Sequence, residues 1–287
     1  MTTNNDKHAV LVTGASTGIG EACALGMARL GYRVFAGVRN EADGKRLVEQ
    51  AEGDLSPVML DVTDQEMISE ALSSVGDALD GVPLKGLVNN AGIVVGGPLE
   101  TVPLDALRKQ LEVNVVGQIA VTQAFLPLLR RGEGRIVNMS SISGGIASPY
   151  LGPYCASKFA LEALSDSLRM ELRHSSVKVS LVEPVSVATP IWDKSLAAAD
   201  NLAEQVSEES LKPYQADLDA IKATTAELAK GQLAMEKVVD AVVHAIASPK
   251  PKPRYYLKLT TRMCFRAMRM LPQWVRDKIV LGELKLP

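Results

Sequence analysis

The regular order of apolar runs and amphipathic stretches is the feature that most restricts the fold of this chain. Short runs rich in β-branched residues occur at about 9–13, 32–38, 57–61, 86–90, 134–139 and 177–183. Stretches with helical periodicity separate them, at about 18–30, 42–52, 64–80, 103–130 and 154–174. Continuous apolar strands joined by helical crossovers predict a parallel sheet covered by helices on both faces. A helix near 236–248 and a short strand near Arg254–Lys258 would complete this α/β sheet.

The length of 287 residues fits one large α/β domain or two small ones, and we expect a single domain over residues 1–287. The chain is 47% hydrophobic and carries a formal net charge of −2, which gives no indication of nucleic-acid binding. Cys23, Cys155 and Cys264 are scattered, and no cluster of cysteine and histidine predicts a disulfide framework or a metal site. The polar N-terminus and the lack of a long uninterrupted apolar run lead us to expect a cytoplasmic protein.

Two segments depart from the strand–helix alternation. Residues 190–235 are polar and rich in Ala, Glu and Asp, and we expect a helical insertion over the substrate side. The segment from Lys250 to Pro287 has ten lysine and arginine residues against two acidic ones, and we expect a basic helical tail over 259–287. Its basic and apolar residues alternate: Arg262, Met263, Phe265, Arg266, Met268, Arg269, Met270 and Leu271. Such a tail fits a neighbouring subunit, the insertion of its own chain or, as a less favoured alternative, an anionic membrane.

A glycine-rich turn follows the first predicted strand. It runs from Thr13 to Gly20 and leads into a predicted helix. Glycines let the backbone approach a pyrophosphate, and the free N–H groups of a helix N-terminus attract its charge. The turn therefore predicts a dinucleotide site, with ordinary loop chemistry as the alternative. The candidate binding residues within it are Gly14, Ser16, Thr17, Gly18, Ile19 and Gly20.

The ends of the second and third strands bear on the type of nucleotide. Val38 cannot accept a hydrogen bond from a ribose hydroxyl, whereas Arg39 can pair with the 2′-phosphate of NADP. A solvated surface charge is the less favoured alternative for Arg39. Asp61 and Val62 are placed to contact an adenine edge, and Asp61 is alternatively the cap of the next helix.

Polar residues interrupt the apolar pattern at two further points. Asn89 is followed by Asn90, Ala91 and Gly92 at the end of the fourth strand, where open α/β sheets bind ligands, although such residues also form plain turns. Asn114 breaks an apolar helical stretch, which predicts either a buried hydrogen-bond partner or a satisfied kink.

Ser141, Tyr154 and Lys158 form the candidate catalytic group. Tyr154 and Lys158 lie four residues apart and therefore on one helix face. A fixed ammonium favours a phenolate, so we expect the pKa of Tyr154 to lie below its usual value near 10. Ser141 ends the fifth strand, and its hydroxyl can hold a substrate carbonyl beside that phenol.

Together these motifs resemble the short-chain dehydrogenase/reductase superfamily over about residues 8–258. The resemblance implies a doubly wound Rossmann fold with a mostly seven-stranded parallel sheet and a hydride-transferring oxidoreductase that uses NADP(H), with NAD(H) as the alternative. It implies that Tyr154 is the general acid/base, that Ser141 holds the carbonyl oxygen, and that Lys158 tunes Tyr154 and binds the nicotinamide ribose. Asn114 would support a water on the proton route.

One departure from the family concerns the segment after the sixth strand. The family usually has Pro-Gly there and then a threonine on the nicotinamide carboxamide, but here Val185 follows Pro184. A β-branched residue disfavours a turn with positive φ, so the contact of Thr189 with the cofactor is less secure than the rest of the site.

The substrate is expected to be a bulky apolar alcohol or carbonyl. The long insertion is similar to that of hydroxysteroid and retinol dehydrogenases. Several apolar residues are available to line a pocket, although each can equally belong to the ordinary core: Ile93, Val94, Val95, Leu151, Ile191 and Trp192. The alternatives are a ketoreductase of acyl or polyketide intermediates and a non-catalytic dinucleotide sensor. By the same resemblance we expect a homodimer or homotetramer.

Overall fold

The computed structural model describes residues 8–185, 187, 206–228, 233–257, 267–268 and 270–286. Within these, one parallel sheet has the strand order β3-β2-β1-β4-β5-β6-β7. Its strands are β1 (Ala9–Val12), β2 (Arg33–Val38), β3 (Leu55–Met59), β4 (Leu84–Asn89), β5 (Arg135–Met139), β6 (Lys178–Glu183) and β7 (Arg254–Tyr256). The predicted doubly wound, seven-stranded Rossmann sheet is therefore confirmed, with strand bounds shifted by only one or two residues.

Helices cover both faces of this sheet. The helices before β6 are α1 (Gly18–Arg29), α2 (Glu41–Gln50), α3 (Gln65–Ala78), α4 (Leu104–Leu111), α5 (Gly117–Arg131) and α6 (Gly152–Glu171). The later helices are α7 (Glu208–Leu211), α8 (Gln215–Leu228), α9 (Met235–Ala247) and α10 (Gln273–Glu283). Shorter helical turns lie at Glu112–Val116 (π-helical) and, with 3₁₀ geometry, at Ile142–Gly144, Leu172–His174 and Lys212–Tyr214.

Alternation along β1 divides the core into two layers. Val10 and Val12 face one layer, which also contains residues of α1 and α9, whereas Ala9 and Leu11 face the other, which contains residues of α3 and α5. All of these β1 side chains are fully buried. This two-sided burial is why the strands are continuously apolar.

The helical stretch Leu104–Arg131 is long and apolar enough to cross a membrane. No uninterrupted apolar run of that length was expected from the sequence. Here Phe125 and Leu129 are fully buried in the layer under the sheet. The stretch is also broken by the π-helical turn around Asn114. The apolar side chains of this stretch thus contribute to the core of the fold.

The insertion and the tail are described only in part. Between residues 206 and 228 the chain is helical, as expected for the insertion, and the tail contains the helix α10. Thr189, Ile191, Trp192, Arg262, Arg266 and Arg269 lie outside the described residues, and so do Cys264, Met263 and Phe265.

Candidate active site

The glycine turn lies where the strand order reverses. β1 pairs with β2 on one side and with β4 on the other, so the chain leaves their carboxyl ends in opposite directions and opens a crevice there. Gly14 has φ +62°, and a Cβ on it would lie 2.8 Å from Cα of Ala91. A Cβ on Gly20 would lie 2.2 Å from the Gly14 carbonyl oxygen. Only glycine at these two positions allows the turn, the start of α1 and the end of β4 to approach each other so closely.

Thr13 and Asn90 tie the two sides of this crevice together. The hydroxyl of Thr13 accepts hydrogen bonds from the backbone N–H groups of Asn90 and Ala91, each at 3.0 Å. The side-chain amide of Asn90 donates to the carbonyl oxygens of Thr13 and Gly14, both at 3.1 Å. Asn90 therefore holds the glycine turn in place, and Ala91 and Gly92 continue along the floor of the crevice.

The N-terminus of α1 differs from those of the two helices that follow. The Asn40 side chain caps α2 by accepting from Asp43 N, and the Asp64 side chain caps α3. Thr17, the residue at the start of α1, makes no side-chain capping bond. The first N–H groups of α1 are thus left for another acceptor, which is the arrangement that binds a phosphate group. The turn and this helix end fit the pyrophosphate of a dinucleotide.

The adenosine side of the crevice has exposed charges. Val38 is buried and Arg39 is exposed at the end of β2, so no carboxylate occupies the position that would bind a ribose 2′-hydroxyl. Asp61 accepts from the backbone N–H and hydroxyl of Thr63 at 2.9 and 2.7 Å. Burial alone would raise the pKa of Asp61, but these bonds and the charges of Arg39 and Lys109 outweigh it and lower that pKa.

The alternative interpretation of Asp61 as a helix cap is wrong. Asp64 is the N-cap of α3 and accepts from the N–H groups of Glu66 and Met67. Asp61 instead folds its own turn through Thr63. Val62, its neighbour, is buried against the second core layer.

Arg46 is a residue near the glycine turn that sequence reasoning missed. It lies on α2, and its guanidinium donates to the carbonyl oxygen of Ser16 and to Glu21 of α1, the latter at 2.7 Å. Arg46 therefore connects α2 to the turn from outside. No local sequence pattern indicates this role, because Arg46 and Ser16 are 30 residues apart in the chain.

Asn114 lies in the π-helical turn and is completely buried. Its carbonyl oxygen accepts from Ile93 N at 2.8 Å, and its amide nitrogen donates to Ile93 O at 3.0 Å and to the Ser157 hydroxyl at 3.1 Å. The predicted partner and the predicted kink are thus both present. Gln110, which the sequence analysis did not identify, lies one helical turn earlier and makes a similar pair of bonds. Its side-chain oxygen accepts from Val95 N, and its amide nitrogen donates to Ile93 O.

The two amides therefore hold the chain that follows β4 in an extended path. Val94 and Val95 on this path are buried, as expected of part of an apolar wall, while Ile93 and Leu151 are half-buried. Because Ser157 also donates to the carbonyl oxygen of Tyr154 at 2.7 Å, the path is linked to the first turns of α6.

Ser141, Tyr154 and Lys158 come together at the carboxyl end of β5. Tyr154 is 8% exposed, Lys158 is 5% exposed, and a hydrogen bond joins Tyr154 to the hydroxyl of Ser141. The ammonium of Lys158 donates to the carbonyl oxygen of Met139 at 2.8 Å and lies 5.7 Å from the centre of the Tyr154 ring. The three side chains predicted from the sequence thus form one buried group.

Burial opposes the expected effect of Lys158 on Tyr154. It raises the pKa of Tyr154 to about 12, although the hydrogen bond with Ser141 acts in the opposite direction. It also lowers the pKa of Lys158 to about 8, against the charge of Glu162, which raises it. The direction is opposite to the expected pKa below 10 for Tyr154, because desolvation of the phenolate outweighs the hydrogen bond with Ser141.

The segment after β6 adapts to Val185 by avoiding positive φ. Val185 does not adopt a left-handed conformation. Its side chain packs against the first core layer. Pro184 accepts a hydrogen bond from Ile142 N at 3.2 Å, and Val187 pairs with Leu233. Val185 is thus accommodated without the positive φ that a glycine at this position would allow.

Two tyrosines attach the helical insertion to the loops around the site. Tyr150 hydrogen-bonds to Asp217 of α8, and Tyr214 hydrogen-bonds to Glu100. The two rings meet edge to face with centroids 6.2 Å apart. Burial raises the pKa of Tyr150 to about 12, and its bond to Asp217 adds to this effect. The described part of the insertion therefore lies beside the N-terminus of α6.

Residues 8–201 match the family model of the short chain dehydrogenases. The chain belongs to this family. The short-chain dehydrogenase is similar to an uncharacterized oxidoreductase, YbbO, of Escherichia coli strain K12, with 40% identity over 96% of this chain and 95% of that protein. It is also similar to the NADPH-dependent 3-dehydrocapnine reductase of Ornithobacterium rhinotracheale, with 33% identity over 96% of each chain.

Solved structures agree with the fold of this short-chain dehydrogenase. A short-chain dehydrogenase/reductase of Burkholderia phymatum, crystallised in complex with NAD, superposes with a TM-score of 0.80. The two chains are 25% identical, and the match covers 93% of this chain and 94% of the other. The protein is therefore an oxidoreductase of the family that acts on small molecules with a dinucleotide cofactor.

Proposed function

We propose that this enzyme interconverts a secondary alcohol and a carbonyl on a bulky apolar substrate, with NADP(H) as the preferred cofactor. The observation that carries this proposal is the buried group of Ser141, Tyr154 and Lys158 at the carboxyl edge of the sheet. It lies at the same edge as the glycine turn, so proton donor and dinucleotide would share one crevice.

The roles follow from the chemistry of each side chain. The bound nicotinamide supplies or accepts the hydride. In reduction, Tyr154 donates its proton to the oxygen of the former carbonyl, and in oxidation its phenolate takes the alcohol proton. Ser141 donates a hydrogen bond to the same oxygen. The charge of Lys158 stabilises the phenolate form of Tyr154, and Asn114 keeps the path after β4 in position beside them.

The preference for NADP rests on Arg39. Arg39 is exposed beside the crevice and no acidic residue stands at the end of β2, which favours a 2′-phosphate over a free hydroxyl. The similar reductase of O. rhinotracheale is NADPH-dependent, whereas the similar B. phymatum structure contains NAD. Measuring the dissociation constants of NADPH and NADH tests which cofactor the enzyme prefers. Equal values would reject the proposed preference for NADP(H).

The apolar substrate is supported by the surroundings of the candidate site. Val94 and Val95 line the path after β4, and Leu99 is 67% exposed at its far end, beside the insertion. A screen of steroid, retinoid and simpler carbonyls and alcohols with both cofactors tests this assignment. Turnover confined to small polar substrates would contradict it.

A ketoreductase of acyl intermediates is the second candidate. Its support is the similarity to the 3-dehydrocapnine reductase, because that protein is named for the reduction of a 3-dehydro compound. Thioester and long-chain 3-oxo substrates in the same screen discriminate this activity from the first. Absence of turnover on every class would instead favour a dinucleotide sensor.

We also propose that the enzyme is a homodimer or homotetramer that associates through α6 and its neighbour. Phe159, Leu164 and Met170 on α6 are between 40% and 54% exposed, and Leu104 and Val116 are exposed on the adjoining helical stretch. Burying such side chains stabilises an interface. Light scattering after size-exclusion chromatography should give two or four times the monomer mass of 30.7 kDa.

A further inference from the structure

Four charged side chains meet where α6 packs against β6 and β7. Arg254 of β7 pairs with Glu162 at 2.7 Å and Asp166 at 2.8 Å on α6, and with Glu183 at the end of β6 at 3.3 Å. Glu183 is 2% exposed and Glu162 is 8% exposed. Arg169, which is more exposed, also pairs with Asp166. Three carboxylates against two guanidiniums leave an excess of negative charge in a largely buried place.

One oxygen of this cluster is not used by it. Oε2 of Glu162 accepts from Arg254, but Oε1 is buried and accepts no hydrogen bond from any residue that the structure describes. A Cβ on Gly144 would lie 3.3 Å from this Oε1 and 2.9 Å from the hydroxyl oxygen of Ser140, which is likewise buried without a partner among the described residues. The spare oxygen of Glu162 thus lies close to the carboxyl end of β5.

Lys158 occupies that same end of β5. It lies one helical turn before Glu162 on α6, and its ammonium bonds to the carbonyl oxygen of Met139, next to Ser140. A carbonyl offers a partial charge only, and no carboxylate lies within ion-pair distance of Lys158 in the described chain. A buried ammonium without negative charge nearby would lose its proton.

We propose that Glu162 is the electrostatic partner of Lys158 and that Arg254 fixes Glu162 in this role. The carboxylate cluster at the base of α6 thereby keeps Lys158 charged beside Tyr154. Glu162 is a positioning residue, because it acts through Lys158 and not on the substrate. The charge of Glu162 raises the pKa of Lys158 against the effect of burial, which is the sign that this role requires.

The other groups that face Lys158 do not supply this charge. On α6 the neighbour on the opposite side is Tyr154, which is a neutral phenol below about pH 12. Ser140, Ser141 and the amide of Asn114 are neutral. Glu183 and Asp166 each pair with Arg254, and Asp166 pairs also with Arg169, so part of their charge is neutralised by guanidiniums.

The proposal rests on the role of Lys158 in the proposed function, so its test uses the protein without cofactor or substrate. The pKa of Lys158 is measured by NMR on protein labelled with ¹⁵N-lysine, with the signal assigned from Lys158→Met. Glu162→Gln keeps the shape and removes the charge, and it should lower the pKa of Lys158 by about one pH unit, as expected for a charge several ångströms away. Glu162→Asp keeps the charge and should hold that pKa within about a few tenths of the parent value.

Three results would overturn the proposal. They are an unchanged pKa of Lys158 in Glu162→Gln, an equal change in the control Glu171→Gln at the exposed end of α6, and a larger change in Glu162→Asp than in Glu162→Gln. If Glu162→Gln does not fold, Asp166→Asn removes a more exposed carboxylate of the cluster and should lower the same pKa by a smaller amount. An unchanged value there counts against the proposal as well.

Turnover gives the second measurement. Since Lys158 is charged only below its pKa, the alkaline limb of kcat/KM should move to lower pH in Glu162→Gln and stay in place in Glu171→Gln. If the enzyme has no oxidoreductase activity at all, the NMR titration still decides the relation between Glu162 and Lys158. Failure of the proposed function and failure of this inference are therefore distinguishable.

Discussion

The two halves of the crevice use charge in opposite ways. At the adenosine side, Arg39 is exposed and Arg46 is half-exposed, and both are surrounded by water and opposite charges such as Glu21 and Asp61. At the catalytic side, Tyr154 and Lys158 are almost completely buried. Exposed charges are screened by solvent and salt, whereas buried ones change their protonation instead.

This difference separates binding from chemistry. Substitutions at the adenosine side should change cofactor affinity by modest factors and depend on salt. Substitutions at the catalytic side should change turnover, pH dependence and stability and depend little on salt.

Tyr154→Phe should reduce kcat by about a thousandfold or more, because general acid/base catalysis contributes on the order of 10²–10⁴ and no other described side chain can replace the phenol. The dissociation constant of NADPH should change by less than about twofold, since only a hydroxyl is lost. Steady-state kinetics and fluorescence titration measure the two quantities.

The matched control is Tyr255→Phe on the edge strand β7, which removes a hydroxyl bonded to His244 at 2.7 Å and to the backbone N–H of Lys252 at 3.1 Å. It should keep kcat within about twofold while costing about 1 kcal/mol of stability. Equal losses of kcat in the two variants would remove Tyr154 from the mechanism.

Lys158→Met should lower kcat and yet stabilise the fold at neutral pH. Burial lowers the pKa of Lys158 from 10.5 to about 8, so the unfolded state binds more protons between these values and stability rises with pH across this range. Below pH 8 the charged Lys158 therefore costs on the order of 3 kcal/mol. Loss of the hydrogen bond to Met139 offsets part of this stabilisation, so the free energy of unfolding of Lys158→Met should exceed that of the parent by about 1–3 kcal/mol.

Urea unfolding at pH 7 and pH 10.5 measures this effect. The advantage of Lys158→Met should be present at pH 7 and almost completely lost near pH 10.5, where Lys158 is neutral in the folded parent and half protonated in the unfolded one. Lys178→Met, at an exposed position on β6, is the control and should show no such pH dependence. A variant that is less stable than the parent at pH 7 would show that Lys158 is not under desolvation strain.

The catalytic side also shows where sequence reasoning succeeds and where it stops. The strands and the positions of Ser141, Tyr154 and Lys158 follow from local patterns, because period, spacing and turn chemistry act over a few residues. The pKa of Tyr154 does not follow, because the spacing of the pair says nothing about the surrounding core. Arg254 and Glu162 are 92 residues apart, and their ion pair depends on β7 lying next to β6.

Similar limits apply at the adenosine side. Asp61 was the only cap considered for α3 from the sequence, whereas in the structure Asp64 caps this helix. Gln110 and Arg46 have no motif of their own, since each acts on a segment that is distant in sequence.

Arg39→Ala should raise the dissociation constant of NADPH by about tenfold, because a hydrogen bond between charged groups is worth about 1.5–3 kcal/mol and this one is exposed. The dissociation constant of NADH should change by less than about twofold. Calorimetric titration at low and high salt measures both, and salt should reduce the difference between parent and variant for NADPH. Arg29→Ala, an exposed arginine at the end of α1, is the control. Equal effects on NADPH and NADH would reject Arg39 as the phosphate partner.

Arg46→Ala should have the smallest effect, a weakening of about three- to fivefold that is equal for NADPH and NADH. Arg46 bonds to the Ser16 carbonyl and to Glu21, so its loss would loosen the glycine turn that both nucleotides share. One hydrogen bond of this kind contributes about 1 kcal/mol, which corresponds to roughly fivefold in affinity. Lys45→Ala, its exposed neighbour on α2, should leave both constants unchanged. A loss confined to NADPH would instead show that Arg46 leaves Glu21 to contact the 2′-phosphate directly, and would assign it to the same role as Arg39.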